Sequence, residues 1–423
     1  MVWQVWFAGL LFVIVYAVVI SERVHRTIIA LVGATLLVVL GVLNFNEAVS
    51  KVDFNTIGLL IGMMIIVGIT RKSGIFEYMA IKAARQTGGD PVKIMIALSI
   101  VTAVASALLD NVTTVLLILP VTISICSALE INPIPIFVAQ IISSNIGGTA
   151  TLIGDPPNIM IGSAVNLGFM DFICNLSPVI IIIFIVTIWL LKIIYGKSMH
   201  TTEENKARLM EMNPDDAIKD RKLMNTSLAA IGLVILGFIL HSHLGLEPAA
   251  IALMGAAFLL LITREDPDEI LLSVEWATLF FFVGLFIMVG ALEKVGIIEG
   301  MARGAVAMTH GSLKASTLLI LWFSAIASAF IDNIPFVATF IPLIKEMGTI
   351  GHMDIMPLWW ALSLGACLGG NGTIIGASAN VIVSGIAARE GHPISFLSYM
   401  KIAFPLMMVS IIISTIYLLL FYL

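Results

Sequence analysis

The chain has 423 residues, of which 59% are hydrophobic and 12% charged, and its formal net charge is −5. Soluble domains carry roughly a quarter charged residues, so this composition excludes one, and no basic stripe supports nucleic-acid binding. What remains is a polytopic membrane protein built from apolar runs of about 18 residues, the length that crosses a bilayer as a helix.

In chain order, runs 3–20, 27–44 and 56–70 come first. No basic segment precedes the first run and no small-residue cleavage site follows it, so it is expected to be a retained span and not a signal peptide. Residues 73–87 set Lys82 and Arg85 beside Ile75, Phe76, Met79 and Ile81, which predicts an interfacial amphipathic helix. Residues 93–129 pass twice through apolar sequence around Asp110, a hairpin that is either re-entrant or fully crossing. Segment 134–167 is long for one helix and is interrupted at Gly147-Gly148 and at Gly154-Asp155-Pro156-Pro157, where proline removes a donor and clashes with the preceding turn. A span at 175–195 follows. Residues 196–222 form the one long charged stretch, and beyond it lie runs 225–240, 248–263, 278–292 and 402–423.

The second half repeats the first at a constant offset of 222 positions. "SALLDNVTTVLLILPVTI" (106–123) matches "SAFIDNIPFVATFIPLIK" (328–345), "NIGGTATLIGDPPNIMIG" (145–162) matches "CLGGNGTIIGASANVIVS" (367–384), and 52–79 matches 274–301. The chain therefore reads as an all-α membrane protein of two repeats, 1–195 and 223–423, joined by linker 196–222. Each repeat holds five spans, one of them a broken helix, plus a hairpin. Five is odd, so tandem repeats must insert with opposite orientations. Placing the amino terminus outside puts seventeen Lys and Arg on the cytoplasmic side and only Lys51, Lys294, Arg303, Lys314 and Lys345 outside, in keeping with the positive-inside rule. The expectation is an inverted repeat of ten crossings plus two hairpins in the plasma membrane, with both termini outside and the linker cytoplasmic.

Inverted repeats with discontinuous helices are the architecture of many secondary transporters, with the site at the breaks. Non-helical backbone at membrane depth must be buried in protein or line a cavity. Asp110 is costly in lipid, so it is expected to face a hydrated centre; the competing reading makes it a helix cap in a loop outside the membrane. Gly147, Gly148, Gly369 and Gly370 let an ion approach backbone carbonyls, or serve close helix packing. Thr113, Thr151 and Thr373 contact substrate, or bond back to the preceding turn. His241 and His243 stand near a span end and read as interfacial. The three cysteines, Cys126, Cys174 and Cys367, are scattered and suggest neither a disulfide framework nor a metal site. The candidate binding set is Asp110, Asn111, Thr113, Gly147, Gly148, Thr151, Asp155, Asn158, Asp332, Asn333, Gly369, Gly370, Thr373, Ser378 and Asn380. Within it Asp110, Asn111, Gly148, Asp332, Asn333 and Gly370 are candidates for a sodium ion.

"LLDNVTTVLL" and "IGGTATLIGDPPN" resemble the signature of the ion transporter superfamily, and most closely its branch of arsenite permeases, NhaD-type sodium–proton antiporters and the melanosomal P protein. The resemblance covers essentially the whole chain. It implies two re-entrant hairpins, two broken helices, a central site and a homodimer working by an elevator mechanism. The second half departs from the first where Asp155-Pro156-Pro157-Asn158 becomes Ala377-Ser378-Ala379-Asn380, so the two ion sites are expected to differ.

Segments 94–129, 131–170, 315–344 and 355–388 form the expected core. They hold Asp110, Asp155 and Asp332 as their only acids, and no Lys or Arg. Acids without basic partners attract cations and protons and repel free anions. The leading expectation is proton- or sodium-coupled, arsenite-permease-like export of a small inorganic ion, with sodium or a proton as coupling ion and no other cofactor. Sodium–proton antiport, sodium-coupled dicarboxylate symport and an ion channel stand beside it. No Gly-x-x-x-x-Gly-Lys-Ser/Thr loop occurs, so an ATPase would have to be a separate subunit. No nucleophile–base set suggests an enzyme.

Overall fold

The computed structural model describes residues 2–21 and 23–423, apart from the Ser242 side chain, and among them finds helices and turns but no strand. The first half runs α1 (Val2–Ser21), α2 (Arg26–Val39), α3 (Phe45–Ser50), α4 (Phe54–Lys72), α5 (Ile75–Gln86), α6 (Pro91–Leu108), α7 (Asn111–Leu129), α8 (Ile134–Thr149), α9 (Pro156–Val165) and α10 (Phe169–Tyr195). α11 (Glu203–Glu211) lies in the linker. The second half follows with α12 (Arg221–Leu244), α13 (Pro248–Thr263), α14 (Pro267–Leu272), α15 (Trp276–Lys294), α16 (Ile297–Met308), α17 (Leu313–Phe330), α18 (Asn333–Gly351), α19 (Met356–Gly369), α20 (Ser378–Arg389) and α21 (Phe396–Phe421).

The chain starts and stops these helices by recognisable means. Asp110 and Asp332 cap α7 and α18, accepting from Thr113 N at 2.8 Å and Ile334 N at 3.1 Å, so each hairpin turns in two residues. Pro156 opens α9 with its ring at a first-turn position, where its missing N–H costs nothing. Gly74 and Gly296, offset by 222, both adopt positive φ (81° and 85°) and turn the chain into the amphipathic helices α5 and α16.

Among the described residues, ten helices are long and apolar enough to cross a membrane. The number equals the expected ten crossings, but the members differ. Four of them are the hairpin arms α6, α7, α17 and α18. Four expected crossings are instead shorter apolar helices: α2, α8, α13 and α19. Two of these, α8 and α19, are the first halves of the broken helices and end at Thr149 and Gly369.

Two groups of helices pack together. In the first, α6 packs on α8 and α17 on α19, with α7, α9, α18 and α20 around them. α8 is buried from Pro135 to Thr149 and α19 from Pro357 to Gly369, so these half-helices form the centre. In the second group α4 packs on α13 and α2 on α15, with α1 and α12 alongside. Outward rows of large apolar side chains, such as Val2, Trp6, Leu10 and Val13 on α1 and Ile181, Ile185 and Trp189 on α10, present a surface suited to lipid. The linker is not loose: Thr201 and Asn205 donate to the Leu129 carbonyl at the base of the first hairpin (2.6 and 3.2 Å), and Lys219 N donates to Ser73 O (3.0 Å).

Candidate functional site

The two hairpin turns and the two helix breaks converge on one small cavity of about 20 Å³. Asp110 and Asn111 enter from the first hairpin, Asn333 and Ile334 from the second, Asp155 and Pro156 from the first break, and Ser378 from the second. The second helix group closes it with Leu60 and Met64 of α4, Glu275 and Thr278 at the start of α15, and Arg26 at the start of α2. α4 is ~28 Å long at 1.5 Å per residue, so Leu60 and Met64 place the cavity near its middle.

The two tip aspartates are held differently. Asp110 is satisfied within its own turn, by Thr113 N and the Thr113 hydroxyl. Position 335, the counterpart of Thr113, is proline. Asp332 is satisfied from across the cavity: Arg26 Nη1 pairs with its Oδ2 at 2.8 Å, Ser378 Oγ donates to the same oxygen at 2.8 Å, and Arg26 Nη1 also donates to Ser378 Oγ at 2.7 Å. Arg26 lies 5.2 Å from the Phe281 ring centre, a cation–π contact, and Nη2 donates to Thr278 Oγ1 at 3.5 Å. Asp155 is fully buried and accepts from Asn333 Nδ2 at 3.3 and 3.2 Å.

Asparagines tie the breaks to the hairpins. Asn111 Nδ2 donates to Asn145 Oδ1 (3.0 Å), and Asn145 Nδ2 donates to Asn371 Oδ1 (2.9 Å) and Asn380 Oδ1 (3.0 Å). Asn158 Nδ2 donates to the carbonyls of Thr149 and Thr151, and Asn380 Nδ2 to those of Gly370 and Thr373. Thr151 and Thr373 donate to Ala107 O and Ala329 O, each at 2.5 Å, and Ser106 and Ser328 to Ser144 O and Ala366 O, each at 2.6 Å. The last four bonds form two pairs related by the 222 offset.

Of the residues expected at the site, Asp110, Asn111, Asp155, Asn333 and Ser378 line the cavity, and Asp332 stands beside it. Thr113 lies between Asp110 and a second cavity of about 350 Å³. Thr151 and Thr373 spend their hydroxyls, and Asn158 and Asn380 their amide N–H groups, on freed backbone groups, as unsatisfied peptides in the membrane interior require. None of the four glycines lines this cavity. A Cβ at Gly147 or Gly369 would stand 2.2 Å from Ala103 O or 2.5 Å from Ala325 O, and one at Gly148 2.5 Å from Gly154 O, while Gly370 O already accepts from Asn380. These positions serve close packing, because the backbone of the neighbouring arm or of the break itself occupies the space.

The expected acid-only site is also corrected. Arg26, assigned from the charge pattern to a cytoplasmic loop, begins α2 and reaches Asp332. Glu275 and Thr278 were missed as well. Their signal lay in the 52–79 and 274–301 match, where Asp53 and Thr56 align with Glu275 and Thr278. Thr56 Oγ1 donates to Asp53 Oδ2 (2.5 Å) as Thr278 Oγ1 donates to Glu275 Oε2 (3.0 Å). Among the described residues, no cluster of three His, Cys, Asp or Glu side chains forms a candidate metal site.

The chain is 46% identical over 414 residues to an uncharacterized transporter of Mycobacterium tuberculosis (strain ATCC 25618 / H37Rv), covering 96% of each chain. It is 43% identical over 420 residues to the 46 kDa membrane protein of Mycobacterium leprae (strain TN), covering 97% of each. It is 35% identical over 489 residues to the P protein of Homo sapiens, covering 96% of this chain and 58% of that one. The fold matches the crystal structure of the Alcanivorax borkumensis YdaH transporter at a TM-score of 0.58 and 15% identity, over 99% of this chain and 97% of that one. The family model described as "Citrate transporter" matches residues 16–365. By this match and by those relatives, the chain is a membrane transporter and belongs to the citrate transporter family.

Proposed function

We propose that the protein is a secondary active transporter coupled to sodium ions or protons, with the coupling cation held between the hairpin tips and helix breaks. The observation that carries this reading is the charge and size of the cavity. Asp110, Asp155 and Glu275 line it and Asp332 adjoins it, against one base, Arg26. Its volume of about 20 Å³ suits one water-sized species, since a single water needs roughly 10–15 Å³ on the same scale. Sodium–proton exchange fits this space, and a larger inorganic ion, exported in the manner of the arsenite permeases, would need the cavity to widen. The basic face bearing Arg71, Lys72 and Lys219 is read as cytoplasmic, with both termini outside, the membrane as the plasma membrane, the halves as inverted, and the molecule as a homodimer with an elevator motion.

A second reading, symport of an organic anion as the family model's description suggests, is favoured by Arg26, whose guanidinium can pair with a carboxylate. Proteoliposomes holding the purified chain separate the two. The first reading expects uptake or release of sodium or arsenite to follow an imposed pH gradient or sodium gradient, with citrate inert. Citrate flux that saturates and needs sodium or protons would replace the first reading by the second. A current far above carrier rates would refute both.

A further inference from the structure

The two ends of the second helix group meet the hairpin core at different heights. At one end, Ser163 Oγ on α9 donates to Asp53 Oδ1 at 2.9 Å. Under the 222 offset these positions become 385 and 275. Glu275, however, lines the cavity with Ser378, seven positions before Gly385 on α20. Seven helical residues span about 10 Å. The core therefore stands about 5 Å nearer to the Glu275 end than a symmetric arrangement would place it, half of the offset between the two ends. In this position Arg26 reaches Asp332 and Ser378. Its counterpart at the other end is Pro248, which carries no charge. The pair also sits at a mouth: Arg26, Asp332 and Ser378 line a wider cavity of about 310 Å³ that extends past His25 and Val24.

We propose that Arg26 is a tethered cation that competes with the coupling ion for Asp332 at this end of the core's travel, and so sets how weakly that ion is held there. This rests on the cation-coupled reading and on the elevator motion proposed above. The groups facing the guanidinium are Asp332 and Ser378 from the core, Thr278 and Phe281 from α15, and Glu275 through its bond from Thr278. Asp110 and Asp155 share the narrow cavity with it. A sodium ion at Asp332 would take the place of the Arg26 donor. When the guanidinium returns, the ion is left beside the wider cavity with one fewer carboxylate. At the opposite end Pro248 offers no such competitor, so the same tip pair would hold its ion more tightly there.

The test titrates sodium chloride against choline chloride, at several pH values, with the full chain in proteoliposomes. The readouts are flux and sodium-dependent thermal stabilisation. Arg26→Gln is expected to lower the half-saturating sodium or proton concentration roughly two- to fivefold, the worth of a partly exposed ion pair, and to lose that effect in an Asp332→Asn background. Arg26→Lys, which keeps the tethered charge, is expected to stay near the native value. Should Arg26→Gln fail to assemble, Ser378→Ala removes the hydroxyl that orients the guanidinium and is expected to shift half-saturation in the same direction. Native ion dependence in the variant that assembles overturns the inference while leaving the cation-coupled reading intact. A native protein whose flux ignores both sodium and protons overturns that reading and the inference with it.

Discussion

A carboxylate in a membrane protein is defined by what satisfies it, and the paired tip aspartates differ in this. Asp110 is enclosed by its own turn through Thr113, whereas Asp332 depends on Arg26 and Ser378 from other elements. Thr113→Val keeps the side-chain volume and removes only the hydroxyl. It is expected to cost about 1.5–3 kcal/mol of stabilisation of the charged Asp110, as for hydrogen bonds to charged groups, and to alter ion dependence without loss of assembled protein. Ion titration of the purified variant checks this. Asp110→Asn and Asp332→Asn should both impair coupling, but only the second should make the protein insensitive to Arg26→Gln. Identical ion profiles for the two Asn variants would refute their non-equivalence. Asp110, Asn111, Asp155 and Asn333 were legible in sequence because polar residues in apolar runs demand a reason. Arg26 was not: a base at the first turn of a helix looks like a loop residue until the fold brings Asp332 to it.

At the scale of elements, glycine marks where two backbones touch. α6 on α8 and α17 on α19 approach closely enough that a Cβ at Gly147 or Gly369 would enter a neighbouring carbonyl. Gly147→Val and Gly369→Val are therefore expected to destabilise the hairpin–helix contact by about 1–3 kcal/mol or more, as overpacking does, and to lower the melting temperature and yield of the purified protein. Full stability with lost flux would instead return the glycines to the site. The breaks were visible in sequence from Gly154, Pro156 and their counterparts, and the amphipathic α5 and α16 from their mixed faces. The division of spans was less legible. Hydropathy sees apolar length, and the hairpin arms α6, α7, α17 and α18 are as long and apolar as ordinary spans. What distinguishes them is that both of their turns end at one cavity, which is a tertiary fact.

For the whole molecule, orientation follows from one measurement. With the basic face cytoplasmic, a single cysteine at Lys197 or Lys222, in a protein whose own three cysteines are removed, should resist a membrane-impermeant maleimide in intact cells and react after lysis, while one at Lys314 should react in both. Labelling of position 197 from outside would reverse the assignment. The internal repeat also carries a history. A duplicated gene is free to change either copy, and here change has been uneven across the structure. Ser106 and Ser328, Thr151 and Thr373, and Gly147 and Gly369 remain identical and join the broken helices to the hairpins, and Asn158 and Asn380, also identical, hold the freed carbonyls of their own breaks. Around the cavity the Asp-Asn tips and Thr278, whose counterpart is Thr56, are still shared; Asp155 faces an alanine counterpart, Pro156 a serine, Thr113 a proline and Arg26 a proline. The joints are thus the same in both halves, while the groups around the cavity come unequally from the two.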